Sequence, residues 1–168
     1  YCNFPKSIDS VEIVAGFNTL DLEKIAALNP DVVFAIRGND MESLRGLDRL
    51  GIPFFSFDIK NLNDLNKAIK KLGILIDVES RADSLVTKYA IRIKNVRQKV
   101  LSINERPKVM WGLGDNSFYT AGKNTMIDNV IDLAGGDNVA REAIGEWPQV
   151  SIETVLMWSP EIIITTQG

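Results

Sequence analysis

The sequence contains no histidine and only one cysteine, Cys2, among its 168 residues. Without histidine, a histidine-based zinc site, a Ser–His–Asp triad and histidine acid–base catalysis are all excluded. Cys2 has no second cysteine in this sequence, so it is either a free buried thiol or has a partner elsewhere, and the free thiol is favoured. A lone cysteine without histidine is also a poor nucleophile.

Long apolar runs and an excess of one charge are missing as well. No run of 18 apolar residues predicts a transmembrane helix, and no signal peptide opens the sequence. The 19 basic and 22 acidic residues are interspersed, so we expect no nucleic-acid partner. There is no glycine-rich phosphate loop, and no pair of carboxylates is singled out by its spacing. An enzyme is therefore the weaker class.

What the sequence does contain is one motif that occurs twice, 130 residues apart. Each copy has a helix-capping residue (Asp21, Ser151), a short helical stretch, a proline (Pro30, Pro160) and an apolar run typical of a buried strand. The proline ends each helix, because the residue before proline is disfavoured in the α region. Such distant copies predict two similar α/β lobes, since solenoid repeats are only about 20–50 residues long.

The chain between the copies alternates helical and strand patterns, which predicts parallel βαβ layers. Residues 77–104 form the longest helical pattern and would span on the order of 40 Å, so we interpret them as a strut between the lobes. An amphipathic surface helix and a coiled-coil segment are the alternatives. The predicted organisation is a partial N-terminal lobe at 1–76, a connecting helix at 77–105 and a partial C-terminal lobe at 106–168. The start without methionine and the stop at Gly168, inside the second copy, predict a longer protein at both ends.

Five aromatic residues fall in loops or at predicted strand ends, where ligands of α/β sheets bind. They are Tyr1, Phe17, Trp111, Tyr119 and Trp147. Each could instead fill the core. The matched positions of Phe17 and Trp147, six residues before Glu23 and Glu153, favour a role in a shared cleft for this pair.

Polar candidates follow the first predicted strand, at Arg37, Gly38 and Asn39. Arg37 could contact an anionic group of a ligand, or it could be a solvent-facing loop arginine. Glu23 and Glu153 each fall in the first turn of a helix, where a carboxylate complements the helix dipole. One matching glutamate per lobe also suits docking onto arginines of a two-fold symmetric partner.

Several segments resemble the substrate-binding proteins of ABC importers for cobalamin, ferric siderophores and haem. The resemblance covers nearly the whole sequence, and its cobalamin branch is the most similar. It rests on Tyr1-Cys2-Asn3-Phe4-Pro5, Leu22-Glu23-Lys24-Ile25, Leu28-Asn29-Pro30-Asp31-Val32-Val33, Ala35-Ile36-Arg37-Gly38-Asn39, Tyr119-Thr120-Ala121-Gly122-Lys123, Ala134-Gly135-Gly136-Asp137-Asn138 and Trp147-Pro148-Gln149-Val150-Ser151.

The resemblance implies a class III periplasmic binding protein, that is, two α/β lobes with mainly parallel sheets joined by one long helix. It implies a ligand bracketed by aromatics at Tyr1, Phe17, Tyr119 and Trp147, and it implies that one glutamate of each lobe meets an arginine pocket of the permease. The sequence departs from the cobalamin branch at Ile36 and Phe17, where tryptophan is common.

The expected function is therefore that of the extracytoplasmic binding component of an ABC importer, which delivers a bulky metal chelate to a permease with its ATPase subunits. The chelate is cobalamin, a ferric siderophore or haem, and it is cargo; no resident cofactor is expected. The expected location is the periplasm or the outer face of the cytoplasmic membrane, with membrane contact only through the permease or a lipid anchor. The alternatives are a two-lobed enzyme or metallocluster scaffold and an interaction module without a transport role.

Overall fold

In a computed structural model the described residues are 5–16, 19–102, 104–114 and 117–165. The chain divides after Asp58 into two compact units, which we call unit 1 (residues 1–58) and unit 2 (residues 59–168). The sequence-based boundaries at residues 76 and 105 stay a prediction. Within the described residues, none of the helices has both the length and the apolar content that crossing a membrane requires.

Unit 1 is a small α/β layer with two parallel strands. After a 3₁₀ turn at Lys6–Ser10, its elements are α1 (Leu22–Leu28), β1 (Val33–Ile36), α2 (Met41–Arg49) and β2 (Phe54–Phe57). Val33 lies opposite Phe54 and Ile36 opposite Phe57. The core forms where α1, α2 and β1 bury Ile25, Leu44, Leu47 and Ala35. The predicted order of helix, strand, helix and strand is therefore present in this unit.

Unit 2 is organised around one central strand. Its elements are α3 (Leu62–Leu75), α4 (Glu79–Val100), β3 (Lys108–Leu113), β4 (Ser117–Thr120), α5 (Met126–Leu133), β5 (Asp137–Asn138), β6 (Gln149–Ser151), α6 (Ile152–Trp158) and β7 (Ile162–Ile164). Strand β3 pairs in parallel with β5 and β7 and antiparallel with β4, which pairs antiparallel with β6. The sequence pattern predicts a polar loop from residue 137 to residue 149; β5 and the start of β6 are strands that it misses, because they are too short to show alternation.

The long helical pattern is one continuous helix, α4, of 22 residues and about 33 Å. It begins two residues later than the pattern predicts, because Asp77 adopts a left-handed conformation (φ 58°) that separates α4 from α3. It also ends earlier, at Val100, whereas the pattern predicts an end at about residue 104. The two helices pack against each other where Gly73 of α3 faces Ala82 of α4. Both lie in unit 2, and the strut between lobes stays a prediction.

The two copies of the repeated motif fold alike. α1 and α6 each have seven residues, and the side chains of Asp21 and Ser151 accept the capping hydrogen bonds. Each helix ends in a left-handed residue, Asn29 or Ser159, directly before the proline. The prolines therefore mark the helix ends as expected, but the preceding residue turns left-handed and does not extend, so its N–H still bonds back to the helix.

Candidate functional site

The end of β1 in unit 1 is held in a tight turn. The N–H of Asn39 donates to the carbonyl of Ile36 at 3.2 Å, and the N–H of Ile36 donates back to Oδ1 of Asn39 at 3.0 Å. Gly38 has φ +117°, a conformation that side chains rarely adopt. The predicted polar residues therefore lie together in one fixed turn, in which Asn39 bonds the backbone of its own strand.

Arg37 extends from this turn as a half-exposed side chain. The backbone N–H of Arg37 donates a hydrogen bond to the carbonyl of Phe57 at 2.9 Å, and the guanidinium lies 3.6 Å from the carboxylate of Asp58. An exposed pair of this kind contributes little to stability, because water and ions screen it. The backbone hydrogen bond places Arg37 at the ends of β1 and β2.

Three aromatic side chains lie on one face of the unit 2 sheet, and we call them the aromatic surface: Trp111, Tyr119 and Trp147. Tyr119 lies opposite Leu113, so both point to one face, and Trp111 shares that face because it precedes Leu113 by two positions. The rings of Trp111 and Trp147 meet edge to face, with centroids 5.9 Å apart and planes at 73°. This geometry is the favourable one for an aromatic pair.

The aromatic surface is open to solvent. Tyr119 and Trp147 are 53% and 52% exposed, and Trp111, whose ring contacts that of Trp147, is partly buried. Filling the core is therefore not the role of Tyr119 or Trp147. Large exposed rings on an ordered sheet give apolar contact area to a ligand at a low cost in conformational entropy.

The segment that carries Trp147 is fastened to β4 by its backbone. The N–H of Thr120 donates to the carbonyl of Pro148 at 3.0 Å, and the N–H of Gly122 donates to that of Glu146 at 2.9 Å. The carboxylate of Glu146 also accepts a hydrogen bond from Nζ of Lys60 at 2.9 Å. Trp147 therefore projects from a chain segment that is held on both of its sides.

Next to this segment lies a polar cluster that sequence reasoning missed, formed by Asp128, Asn138 and Arg141. We call it the buried polar cluster because Asp128 and Asn138 are buried, while Arg141 is partly exposed. Oδ1 of Asp128 accepts hydrogen bonds from Asn138 Nδ2 and Arg141 Nε, both at 2.9 Å. The bond to Asp128 raises the pKa of Arg141. The sequence shows Asp128 only as one polar residue of an amphipathic helix, and no local signal predicts its burial.

The two glutamates of the repeated motif are both exposed, in the first turns of α1 and α6. Hydrogen bonding from the side chain of Ser151 lowers the pKa of Glu153. Glu23 and Glu153 thus hold equivalent positions on equivalent helices, one in each unit. Their role in docking stays a prediction.

Two predicted ligand contacts, Tyr1 and Phe17, lie outside the described residues, as does Cys2. The predicted equivalence of Phe17 and Trp147 at a cleft therefore stays a prediction. In the described ranges, no group of three or more histidine, cysteine, aspartate or glutamate side chains could hold a metal ion.

A cavity of about 490 Å³ lies elsewhere in unit 2, between α3, α4 and α5. Its walls include Asn61, Leu62, Asn66, Ile93, Arg97 and Asn129. None of the predicted site residues lines this cavity. We place the candidate site at the aromatic surface, because Tyr119 and Trp147 leave about half of their area exposed there, whereas the cavity is a gap between packed helices.

Comparisons with known proteins agree on one family. Residues 5–168 match the model of the periplasmic binding protein family. Over 167 residues the chain is 27% identical to the vitamin B12-binding protein of Yersinia pestis (strain Pestoides F), covering 99% of this chain and 59% of the relative. The chain thus spans about three fifths of the length of the curated relatives that it matches.

Solved structures show the same fold. The periplasmic vitamin B12-binding protein of Vibrio cholerae is similar with a TM-score of 0.86 and 27% identity, over 99% of this chain and 66% of that one. A periplasmic haem-binding protein from Pseudomonas aeruginosa has a TM-score of 0.85 at 22% identity, over 96% of this chain and 60% of that one, and this likeness shows the fold alone.

The predicted fold class is confirmed, since the chain is α/β with mainly parallel strand pairs and has the fold of these structures. The resemblance stated from the sequence motifs is confirmed as well. A match over residues 5–168 includes both copies of the repeated motif and every described candidate residue. The chain therefore belongs to the periplasmic binding protein family.

Proposed function

We propose that this protein is the substrate-binding component of an ABC importer and that it binds a bulky metal chelate, with cobalamin the first candidate and haem or a ferric siderophore next. The observation that carries the proposal is the aromatic surface, on which Trp147 and Tyr119 stay half exposed while Trp111 supports Trp147 edge to face. The names of similar proteins at 27% identity, which are vitamin B12-binding proteins, support the same class of ligand.

The chemistry of these ligands suits the residues present. Corrin and porphyrin rings are wide and largely apolar on their faces, so they gain most from contact with large aromatic side chains. Porphyrin carboxylates and the phosphate of cobalamin also need a cationic partner. Arg37, with Gly38 and Asn39 in the same turn, is the proposed contact for such an anionic group in unit 1.

The same proposal includes the partners of the protein and its location in the cell. The family is one of binding proteins, so we propose no catalytic role, and the comparisons lend no support to the enzyme or metallocluster alternative. Transport would be driven by the ATPase subunits of the importer, whose permease receives the ligand. Glu23 and Glu153 are the proposed docking residues, and the proposed location is extracytoplasmic.

The test is to titrate cobalamin, haem and a ferric siderophore against the protein expressed at its natural length. Binding is monitored by the intrinsic fluorescence of the protein. We expect one chelate to bind, and we expect Trp147→Ala to weaken it at least about ten-fold, because a central aromatic contact is lost.

The matched control is Ile144→Ala, since Ile144 lies in the same segment and is 98% exposed. We expect its affinity to equal that of the wild type. If none of the three chelates binds the wild-type protein, the proposed function is wrong; if Trp147→Ala binds as tightly as the wild type, the aromatic surface is not the site.

A further inference from the structure

The buried polar cluster joins three parts of unit 2. Asp128 and Asn138 are only 8% and 3% exposed. Asn138 Nδ2 donates to the carbonyl of Ala121 and to Oδ1 of Asp128, both at 2.9 Å, while its Oδ1 accepts the N–H of Ala140 at 3.1 Å. One amide side chain therefore ties the end of β4 to α5 and to the start of the segment that leads to Trp147.

The backbones joined by this cluster meet again at Gly122. A Cβ atom on Gly122 would come within 2.6 Å of the carbonyl oxygen of Gly145 and within 3.4 Å of that of Ala140. The N–H of Gly122 donates a hydrogen bond to the carbonyl of Glu146, the residue before Trp147. A shift of the Asn138 contacts would therefore move the segment relative to β4, and with it the ring of Trp147 relative to Trp111.

We propose that Asp128, Asn138 and Arg141 are positioning residues that hold Trp147 edge to face with Trp111 and thereby set the affinity for the ligand. The ligand part of this inference rests on the proposed function. Asn138 satisfies two backbone groups, the carbonyl of Ala121 and the N–H of Ala140, so the cluster also contributes to stability. Because its hydrogen bonds have fixed directions, the cluster also fixes the position of the segment attached to it.

The first experiment needs no ligand. The signal of the tryptophan pair is the difference between the circular dichroism spectra of the wild type and of Trp147→Phe. We expect Asp128→Ala to lose most of this signal, because both hydrogen bonds to Oδ1 are removed. Asp128→Asn should keep it, since an amide oxygen can accept the same two bonds from Asn138 and Arg141.

The second experiment measures the affinity for cobalamin and haem of the same variants at natural length. We expect Asp128→Ala to bind about ten-fold more weakly and Asp128→Asn to bind nearly as tightly as the wild type. The matched control is Asp83→Ala, which removes an exposed ion pair with Lys70 (2.9 Å) in the same unit but outside the cluster. It should keep both the signal and the affinity.

Arg141→Gln provides a second route if Asp128→Ala does not fold, because the Arg141 side chain is 30% exposed and its loss is better tolerated. We expect it to lose part of the tryptophan signal. The inference is overturned if folded Asp128→Ala or Arg141→Gln keeps the wild-type signal and affinity, or if Asp128→Asn loses as much as Asp128→Ala. A wild type that binds no chelate would instead contradict the proposed function and leave the dichroism comparison valid.

Discussion

Gly122 is a residue of unit 2 at which backbones next to the aromatic surface approach each other closely. Its position leaves no room for a side chain, because the nearest atoms are the backbone oxygens of Gly145, Ala140 and Glu146. Backbone oxygens in a hydrogen-bonded segment cannot turn aside as the end of a side chain can. The need for glycine here is therefore steric, and it follows from packing and not from an unusual φ angle.

We expect Gly122→Ala to lower the free energy of unfolding by about 1–3 kcal/mol, because its methyl group would overlap the carbonyl oxygen of Gly145. Urea unfolding measures the change. Gly112→Ala is the control, since its methyl group would meet the flexible end of Met110 at 3.1 Å. Equal losses in the two variants would contradict the steric account.

The pKa of Glu153 can be tested by titration. Its pKa is lowered in the folded protein, so its contribution to stability is present above its ordinary pKa of about 4.5 and is lost as the pH falls through the lowered value. We expect Ser151→Ala to raise the pKa of Glu153 toward the ordinary value, because the hydrogen bond from Ser151 is the main cause of the shift.

NMR titration of the Glu153 carboxyl carbon measures this pKa. Ser84→Ala, an exposed serine of α4, is the control and should leave the pKa of Glu153 where it is in the wild type. An unchanged pKa in Ser151→Ala would show that other groups set it.

Among the elements, α3 and α4 depend on one close approach. A Cβ atom on Gly73 would come within 2.5 Å of the Cβ atom of Ala82, and Gly73 also accepts the N–H of Val78 at 2.8 Å in the turn between the helices. The two helices can pack at this distance only because one of them has no side chain at the contact. Glycine inside a helix is otherwise unfavourable by roughly 1 kcal/mol relative to alanine.

We expect Gly73→Ala to lower the free energy of unfolding by about 1–3 kcal/mol despite its better helix propensity, because the two methyl groups would overlap. Adding Ala82→Gly to the Gly73→Ala variant should restore part of the lost stability, since it removes the opposing methyl group. Chemical unfolding of the two single variants and the double variant measures the coupling. Strictly additive effects would mean that the two residues do not interact.

At the scale of the whole molecule, the repeated motif places one exposed first-turn glutamate in each unit, Glu23 and Glu153. If they dock onto the permease, Glu23→Ala combined with Glu153→Ala should abolish uptake of the labelled chelate by cells and leave the affinity of the purified protein unchanged. The physical reason is that each carboxylate would form a charge-assisted contact with the permease and none with the ligand.

Glu42→Ala combined with Glu79→Ala is a matched control, because these residues also occupy first helical turns, one in each unit, and are exposed. This control should transport normally. Loss of ligand affinity in the Glu23 and Glu153 variant would contradict a docking role, and so would normal uptake.

Much of the fold could be predicted from the sequence, because the signals act over a few residues. Capping side chains, prolines and apolar runs predict α1 with β1 and α6 with β7, and the 3.6-residue pattern predicts α4. The position of candidate residues at strand ends, Arg37 among them, could be predicted for the same reason.

What the sequence by itself determined is therefore the order of elements and the repeated motif. The aromatic residues were predicted in loops or at strand ends, and this holds for Trp147, whereas Trp111 and Tyr119 lie within β3 and β4. Only the tertiary structure decided that Trp147 meets Trp111 edge to face, and that Asn138 bonds both Ala121 and Asp128. These contacts join residues that are far apart along the chain or on different elements. No local propensity encodes them, because they exist only once β3, β4 and α5 have packed around the same buried polar groups.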